Sequence, residues 1–261
     1  MEQILPSLAP ARNAVNKPKH RPRHTQETFI LTPNNPSVTF QAAIFDCDGL
    51  LADTETPDYD AWRMLYDEHG LTLDLQDWAA RIGIAKGHDL ADWHEALAQV
   101  VGPAYDRDAT AKRRQAHYAR AMQTLTPMPG VISLLDALAD EGIPSAVASN
   151  SERAWVDRVL QITGLTGRFA AIATADEVNS PKPAPDVYLL AAHRLAILPA
   201  QCLAFEDSPR GIAAAHAAGM LTVAVPTALT RHLDWAQAHH LLQTLEEATP
   251  ETLRRAFAKQ E

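Results

Sequence analysis

The stretch AAIFDCDGLLADTE, residues 42–55, decides how this chain is read. It opens on four apolar residues, Ala42, Ala43, Ile44 and Phe45, and then turns acidic with Asp46, Cys47, Asp48 and Gly49. A short apolar run closed by polar residues and glycine has the form of a buried strand ending in a turn. Asp46 and Asp48 are a problem at that place. Like charges so close repel, and a carboxylate at the rim of a core is costly unless a cation or hydrogen bonds compensate it. Either the two acids are turn formers facing solvent, or a cation and a reaction require them.

Outward from this stretch the pattern returns. Residues 145–148 form a small apolar run followed by Ser149 and Asn150. Residues 170–173 form another, with Lys182 beyond it in SPKPAPD. Residues 202–205 precede Glu206, Asp207 and Ser208, and 221–225 form the last run. Helical patterns at 131–141, 151–162, 185–195 and 210–218 alternate with these runs. Such alternation predicts an α/β core, a parallel sheet flanked by helices. The segment between the first and second runs differs. Helical patterns at about 57–70, 75–83, 88–101 and 108–125 follow one another with no convincing strand, and TPMPG at 126–130 closes them. The expected organisation is nested: an α/β core of 40–55 and 129–261, a small all-α cap of 56–128 inserted after the first strand, and an N-terminal extension of 1–39. An insertion there emerges at the carboxyl ends of the strands, where open α/β sheets bind ligands, and is placed to act as a lid.

Composition narrows the function. Of 261 residues 46% are hydrophobic and 21% charged, ordinary for a globular protein, and the formal net charge of -9 opposes a non-specific nucleic-acid binder. No apolar run approaches a membrane span. Cys47 and Cys202, the two cysteines, lie in strand-like stretches and form no C-x-x-C pair, so a reduced, cytoplasmic setting is expected. Cys47 reads as an apolar filler between its acidic neighbours. The extension carries Lys17, Lys19, Arg21 and Arg23 with two acids, and reads as a loosely attached tail or a docking arm.

In a parallel sheet the strand ends lie side by side. The sequence therefore gathers Asp46, Asp48, Glu206 and Asp207 on one edge with Ser149, Asn150 and Lys182. Adjacent carboxylates do not all ionise without a cation. A hard, all-oxygen site suits Mg2+. A carboxylate at a strand end can attack phosphorus, and a second can move a proton to the leaving oxygen. A hydroxyl and an ammonium can neutralise a transferring phosphoryl group.

DCDG at 46–49, SNS at 149–151, KPAPD at 182–186 and EDSPRGI at 206–212 together resemble the four motifs of the haloacid dehalogenase (HAD) superfamily of phosphohydrolases, in order. The resemblance covers about residues 41–228. It implies a Rossmann-like core and hydrolysis through an aspartyl-phosphate: Asp46 as nucleophile, Asp48 as general acid/base, Ser149 and Asn150 on the phosphoryl oxygens, and Lys182 steadying Asp46 and the phosphate. It implies Mg2+ held by Asp46, Asp207, the backbone carbonyl of Asp48 and, directly or from behind, Glu206. Gly49 fits a need for tight backbone geometry. The insert resembles the small cap of the group that includes β-phosphoglucomutase, CbbY and the sugar-phosphate and phosphoglycolate phosphatases.

Within that group, mutases carry a histidine ten residues beyond the general acid/base, where this chain has Asp58. Hydrolysis of a small phosphorylated metabolite, sugar-like in kind, is therefore expected over phosphosugar mutation. Glu55 and Lys86, the latter in RIGIAKGHDL at 81–90, are expected to meet the substrate. Arg113, Arg114 and His117 read as a solvated helix face, and Trp62, Trp78 and Trp93 as cap core. Asp176 and Glu177 read as a turn cap or as neighbours of the metal. No nucleic acid or membrane partner is expected, and a monomer is favoured.

Overall fold

The computed structural model describes residues 40–84 and 93–258. Its centre is a parallel sheet of β1 (Ala42–Phe45), β2 (Ser145–Ser149), β3 (Ala171–Thr174), β4 (Cys202–Glu206), β5 (Leu221–Ala224) and β6 (His240–Leu241), in the order β3-β2-β1-β4-β5-β6. β1 sits in the middle, in register with Ser145–Val147 on one side and Cys202–Phe205 on the other. The order reverses at β1, and such a switch point opens a crevice at the strand ends. Asp46 and Asp48 follow β1 into that crevice.

The two sheet faces differ in residue size, because side chains alternate along a strand. Ala43, Phe45, Val147, Leu203 and Phe205 point one way, against α5 (Val131–Asp140), α6 (Arg153–Ile162) and α9 (Pro250–Ala258). Phe45 and Phe205 stack there, 4.8 Å apart. Ala42, Ile44, Ala146, Ala148 and Ala204 point the other way. Their small side chains let α7 (Asp186–Leu195) and α8 (Pro209–Ala217) pack close. Glu206 has the parity of Ala204 and so faces these two helices.

Between β1 and α5 the structure places α1 (Glu55–Asp67), α2 (Leu75–Ala79), α3 (Trp93–Val101) and α4 (Arg107–Met122). α1 packs on α4. Trp62, Leu65, Tyr66, Trp78 and Leu97 bury against one another, and Leu229 from beyond β5 joins them. The insert thus has an apolar centre of its own, and its tryptophans belong to it, as expected. Its ends lie side by side: Ala52 bridges Pro127, and Met128 donates to the carbonyl of Leu51 at 2.9 Å.

Three elements differ from the sequence reading. β6 and α9 escape it because a two-residue edge strand carries no periodicity and the final helix is short and charged. The helix expected at 151–162 begins at Arg153, because Ser149 closes β2 and Ser151 turns toward Asp48. Glu177 forms a capping box with Thr174 and pairs with Arg194 at 2.8 Å, and Asp176 accepts from the Arg153 amide, so both serve local structure. Among the described residues no helix is long and apolar enough to cross a membrane.

Candidate active site

Lys182 is the centre of the charged cluster. It is 3% exposed, and its ammonium meets Asp46 Oδ1 at 2.5 Å, Glu206 Oε1 at 2.6 Å and the Ala148 carbonyl at 2.7 Å. An ammonium has three hydrogens, and these are three acceptors. Burial alone would depress the Lys182 pKa, but Asp46 and Glu206 outweigh it and raise it. Asp46 moves the other way: burial pushes it up to about 8, with Glu206 and Asp48 adding to the rise and Lys182 opposing it. Cys47 is buried in the core, and desolvation raises its thiol well above the ordinary value.

Glu206 is held at both oxygens. Oε1 accepts from Lys182 and from the Tyr188 hydroxyl at 2.7 Å; Oε2 accepts from the Ser208 hydroxyl at 3.1 Å. A Cβ on Gly211 would fall 1.8 Å from Oε1, so glycine in the first turn of α8 leaves room for this carboxylate. Asp207 is different: it is 1% exposed, and its Oδ2 has no hydrogen-bond partner. Burial drives its carboxyl well above the ordinary range. Gly49, at φ +81°, approaches so closely that a Cβ would lie 2.1 Å from that oxygen.

Oxygens of Asp46, Glu206 and Asp207 lie within 4.8 Å of one another. Three carboxylates around one ammonium leave excess negative charge, and Asp207 Oδ2 is a buried acceptor without a donor. A hard divalent cation answers both conditions.

The Asp48 side chain stands apart from this trio. Its Oδ1 accepts from Thr54 Oγ1 and Trp155 Nε1, both at 2.7 Å, and its Oδ2 from Ser151 Oγ at 2.6 Å. Thr54 occupies the N-cap position of α1 without capping it, because its hydroxyl is turned to Asp48. Ser149 accepts from the Ser151 amide at 3.0 Å, which leaves its own O–H to donate into the cavity it lines. Asn150 also lines the cavity, but its amide is engaged: Oδ1 accepts from the Lys182 N–H, and Nδ2 donates to the Gly83 carbonyl at 2.7 Å and the Lys182 carbonyl at 3.2 Å. Asn150 therefore fastens a turn of the insert to the lysine loop.

These groups open into a cavity of about 310 Å³ between the strand ends and the insert. Glu55 lies in its wall, with its carboxyl pushed up to about 8 by burial and by Asp48 and Asp58. Lys86 lies outside the described residues. Arg114 corrects the sequence reading. It is not a plain solvated residue: it lines the cavity, pairs with Asp58 and sits over the Trp62 ring at 5.3 Å. Arg113 fits the expectation, paired with Glu68 on the outer surface. Trp155, Tyr118 and Arg114 went unrecognised as cavity residues because nothing in a helical pattern marks the turn that faces a ligand. Ser151 stood inside a recognised motif but had no assigned partner.

The sequence profile of the haloacid dehalogenase-like hydrolases matches residues 40–219. The chain belongs to that family. Among its HAD-like relatives is the Bacillus subtilis (strain 168) protein YhcW, provisionally named a phosphatase, 39% identical over 207 residues that span 79% of this chain and 93% of YhcW. The Escherichia coli (strain K12) fructose-1-phosphate phosphatase YqaB is 36% identical over 191 residues, 71% of this chain and 96% of YqaB. A β-phosphoglucomutase from Clostridium difficile has the same fold, with a TM-score of 0.64 at 24% identity, covering 85% of this chain and 99% of that one. This HAD-like hydrolase is an enzyme of the phosphatase kind.

Proposed function

We propose that the protein is a Mg2+-dependent phosphomonoester hydrolase of a small, sugar-like phosphorylated metabolite, working through an aspartyl-phosphate on Asp46. The observation that carries this reading is the buried Lys182–Asp46 contact beside the unpartnered oxygen of Asp207. Asp46, Asp207 and the Asp48 backbone carbonyl would hold Mg2+, which when bound supplies positive charge for the phosphoryl oxygens. Glu206, already accepting from Lys182, Tyr188 and Ser208, serves as counter-ion behind the site.

In the first half-reaction an Asp46 oxygen bonds to phosphorus, the ester bond breaks, and Asp48 gives its proton to the leaving oxygen. In the second, water attacks phosphorus, its proton passes to Asp48, and Asp46 is released. Ser149 donates to the phosphoryl oxygens, and Lys182, held on Asp46, adds positive charge beside them. The helices between β1 and α5 form the cap, bounded as 56–128, and the core is 40–55 with 129–261. Glu55, in the cavity wall, meets the body of the substrate.

Hydrolysis is preferred to phosphosugar mutation because Asp58, at the position of the mutase histidine, is paired with Arg114 in the cavity wall. YqaB is named for a sugar phosphate, which supports a related substrate class. A cytoplasmic monomer without nucleic-acid or membrane partners accords with the charge of -9 and the cysteine usage.

Purified protein with Mg2+ should release phosphate from members of a panel of phosphorylated metabolites, and EDTA should abolish the release until Mg2+ is restored. Asp46→Asn should fold and lose at least about 100-fold in kcat. Retention of more than roughly 1% of wild-type activity would sink the nucleophile assignment. Conversion of β-glucose 1-phosphate to glucose 6-phosphate, with a bisphosphate primer and no net phosphate release, would favour the mutase instead.

A further inference from the structure

The two acids of the opening stretch are held by different means. Asp46 is bound by a charge, whereas Asp48 is bound by the neutral donors Thr54, Ser151 and Trp155. Two of those donors are hydroxyls, which rotate freely about their C–O bonds and re-aim at little cost. The indole is not like them. It has a single N–H fixed in the ring plane, so its 2.7 Å bond to Oδ1 ties the direction of the carboxylate to the placement of the ring.

The ring is itself placed from two sides. Trp155 stands in the first turn of α6, on the body of the α/β core. Its face stacks on Tyr118 of α4, with centroids 6.2 Å apart and 24° between planes. Tyr118 belongs to the helical insert. A line of contacts therefore runs from the insert through one aromatic pair to the carboxylate beside the nucleophile, and both rings border the cavity.

We infer that Trp155 is a positioning residue for Asp48, keyed by Tyr118, so that the placement of the insert sets the direction in which Asp48 presents its carboxyl to the leaving oxygen. The inference rests on the phosphatase reading, in which Asp48 delivers the proton that the departing alcohol needs. Trp155 acts through Asp48. Its influence depends on how much the leaving group relies on that proton. A sugar or alkyl oxygen leaves badly as an anion and needs the proton in the transition state; a nitrophenolate leaves with little help.

Trp155→Phe keeps a ring for Tyr118 and removes only the N–H. With Mg2+ present, its kcat on an alkyl ester (glycerol 3-phosphate, or the best sugar phosphate of the metabolite panel) should fall about tenfold. On p-nitrophenyl phosphate the fall should be under about threefold, with KM for both esters within about twofold of wild type. Tyr118→Ala should shift the ratio of the two kcat values in the same direction, and Tyr118→Phe should restore it. Equal losses on both esters, or none, overturn the inference and leave the phosphatase reading standing. A wild-type enzyme that hydrolyses neither ester overturns both.

A spectroscopic arm is independent of turnover. The indole N–H resonance of Trp155, assigned by its disappearance in Trp155→Phe, should move upfield in Asp48→Ala as its acceptor is lost. A resonance that stays in place overturns the hydrogen bond on which everything else rests. Should Trp155→Phe lose cooperative melting, the Tyr118→Ala ratio still decides.

Discussion

The strand-end cluster and the cavity wall of the insert are both polar, yet they are built on opposite principles. At the strand ends Lys182, Asp46, Glu206 and Asp207 are almost wholly buried, and only the close approach of Gly49 and Gly211 makes space for two of the carboxylates. In the insert, Arg114 and Asp58 keep about a third of their side-chain surface, 30% and 34%, and hold each other by a single ion pair. A buried charge without a partner costs several kcal/mol, whereas an exposed pair is worth about 0–1 kcal/mol. The first region tolerates almost no change. The second can vary its charges at little cost to folding.

The sharpest way to break this contrast is Lys182→Met. It leaves Asp46 and Glu206 buried without their cation, and should lower stability by about 3 kcal/mol and kcat by at least about 100-fold. Urea denaturation in EDTA and steady-state assay in Mg2+ measure the two effects. A variant as stable as wild type would show that the cluster is looser than its distances indicate.

Gly211→Ala sets two local rules against each other. Helix propensity favours alanine by about 1 kcal/mol. The added Cβ, however, would lie 1.8 Å from a carboxylate oxygen held by Lys182 and Tyr188. The clash should win, with a net loss of about 1–3 kcal/mol in a thermal or urea melt. A gain in stability would mean that Glu206 has room to withdraw.

On the other side of the comparison, Arg114→Leu should leave stability within about 1 kcal/mol. It should change KM by up to about tenfold, unequally across sugar phosphates, with kcat within about threefold. A uniform fall in kcat with KM unchanged would show that Arg114 does not act through substrate binding.

The smallest effect lies outside both regions. The Arg194 guanidinium, with help from Thr174 and against partial burial, holds Glu177 down to about 2. A carboxyl whose native pKa lies below its unfolded one stabilises the fold above the unfolded value, about 4.5, and loses that contribution as pH falls toward 2. Glu177→Gln should therefore cost under about 1 kcal/mol at pH 7, and less at pH 3. A cost that grows on acidification would reverse the assignment.

The legibility of the sequence follows the same division. The core elements from β1 to β5 were readable because a buried strand must be apolar along its length and must end where polar residues begin. Asp46, Ser149 and Asp207 stand at or just past those ends, and with Lys182 they were marked by the four motifs that resemble the family's. Trp155 and Tyr118 were not. Each is one residue of an amphipathic helix, and its partner lies 107 positions away for the Trp155–Asp48 bond. Asn150 was expected at the phosphate, and it spends its amide on two backbone segments that only folding brings together.

By itself, the sequence determined the parallel α/β core and the acids at its strand ends. Continuous apolar runs and the placement of strand ends in a parallel sheet are local or nearly local rules. Only the tertiary structure decided that Glu206 faces Tyr188 and Gly211, that Asp207 keeps an unpartnered oxygen, and that Asp48 is aimed by an indole pressed against the insert. Those are contacts between separate elements, and their outcome depends on which side chains arrive at the same few ångströms of space.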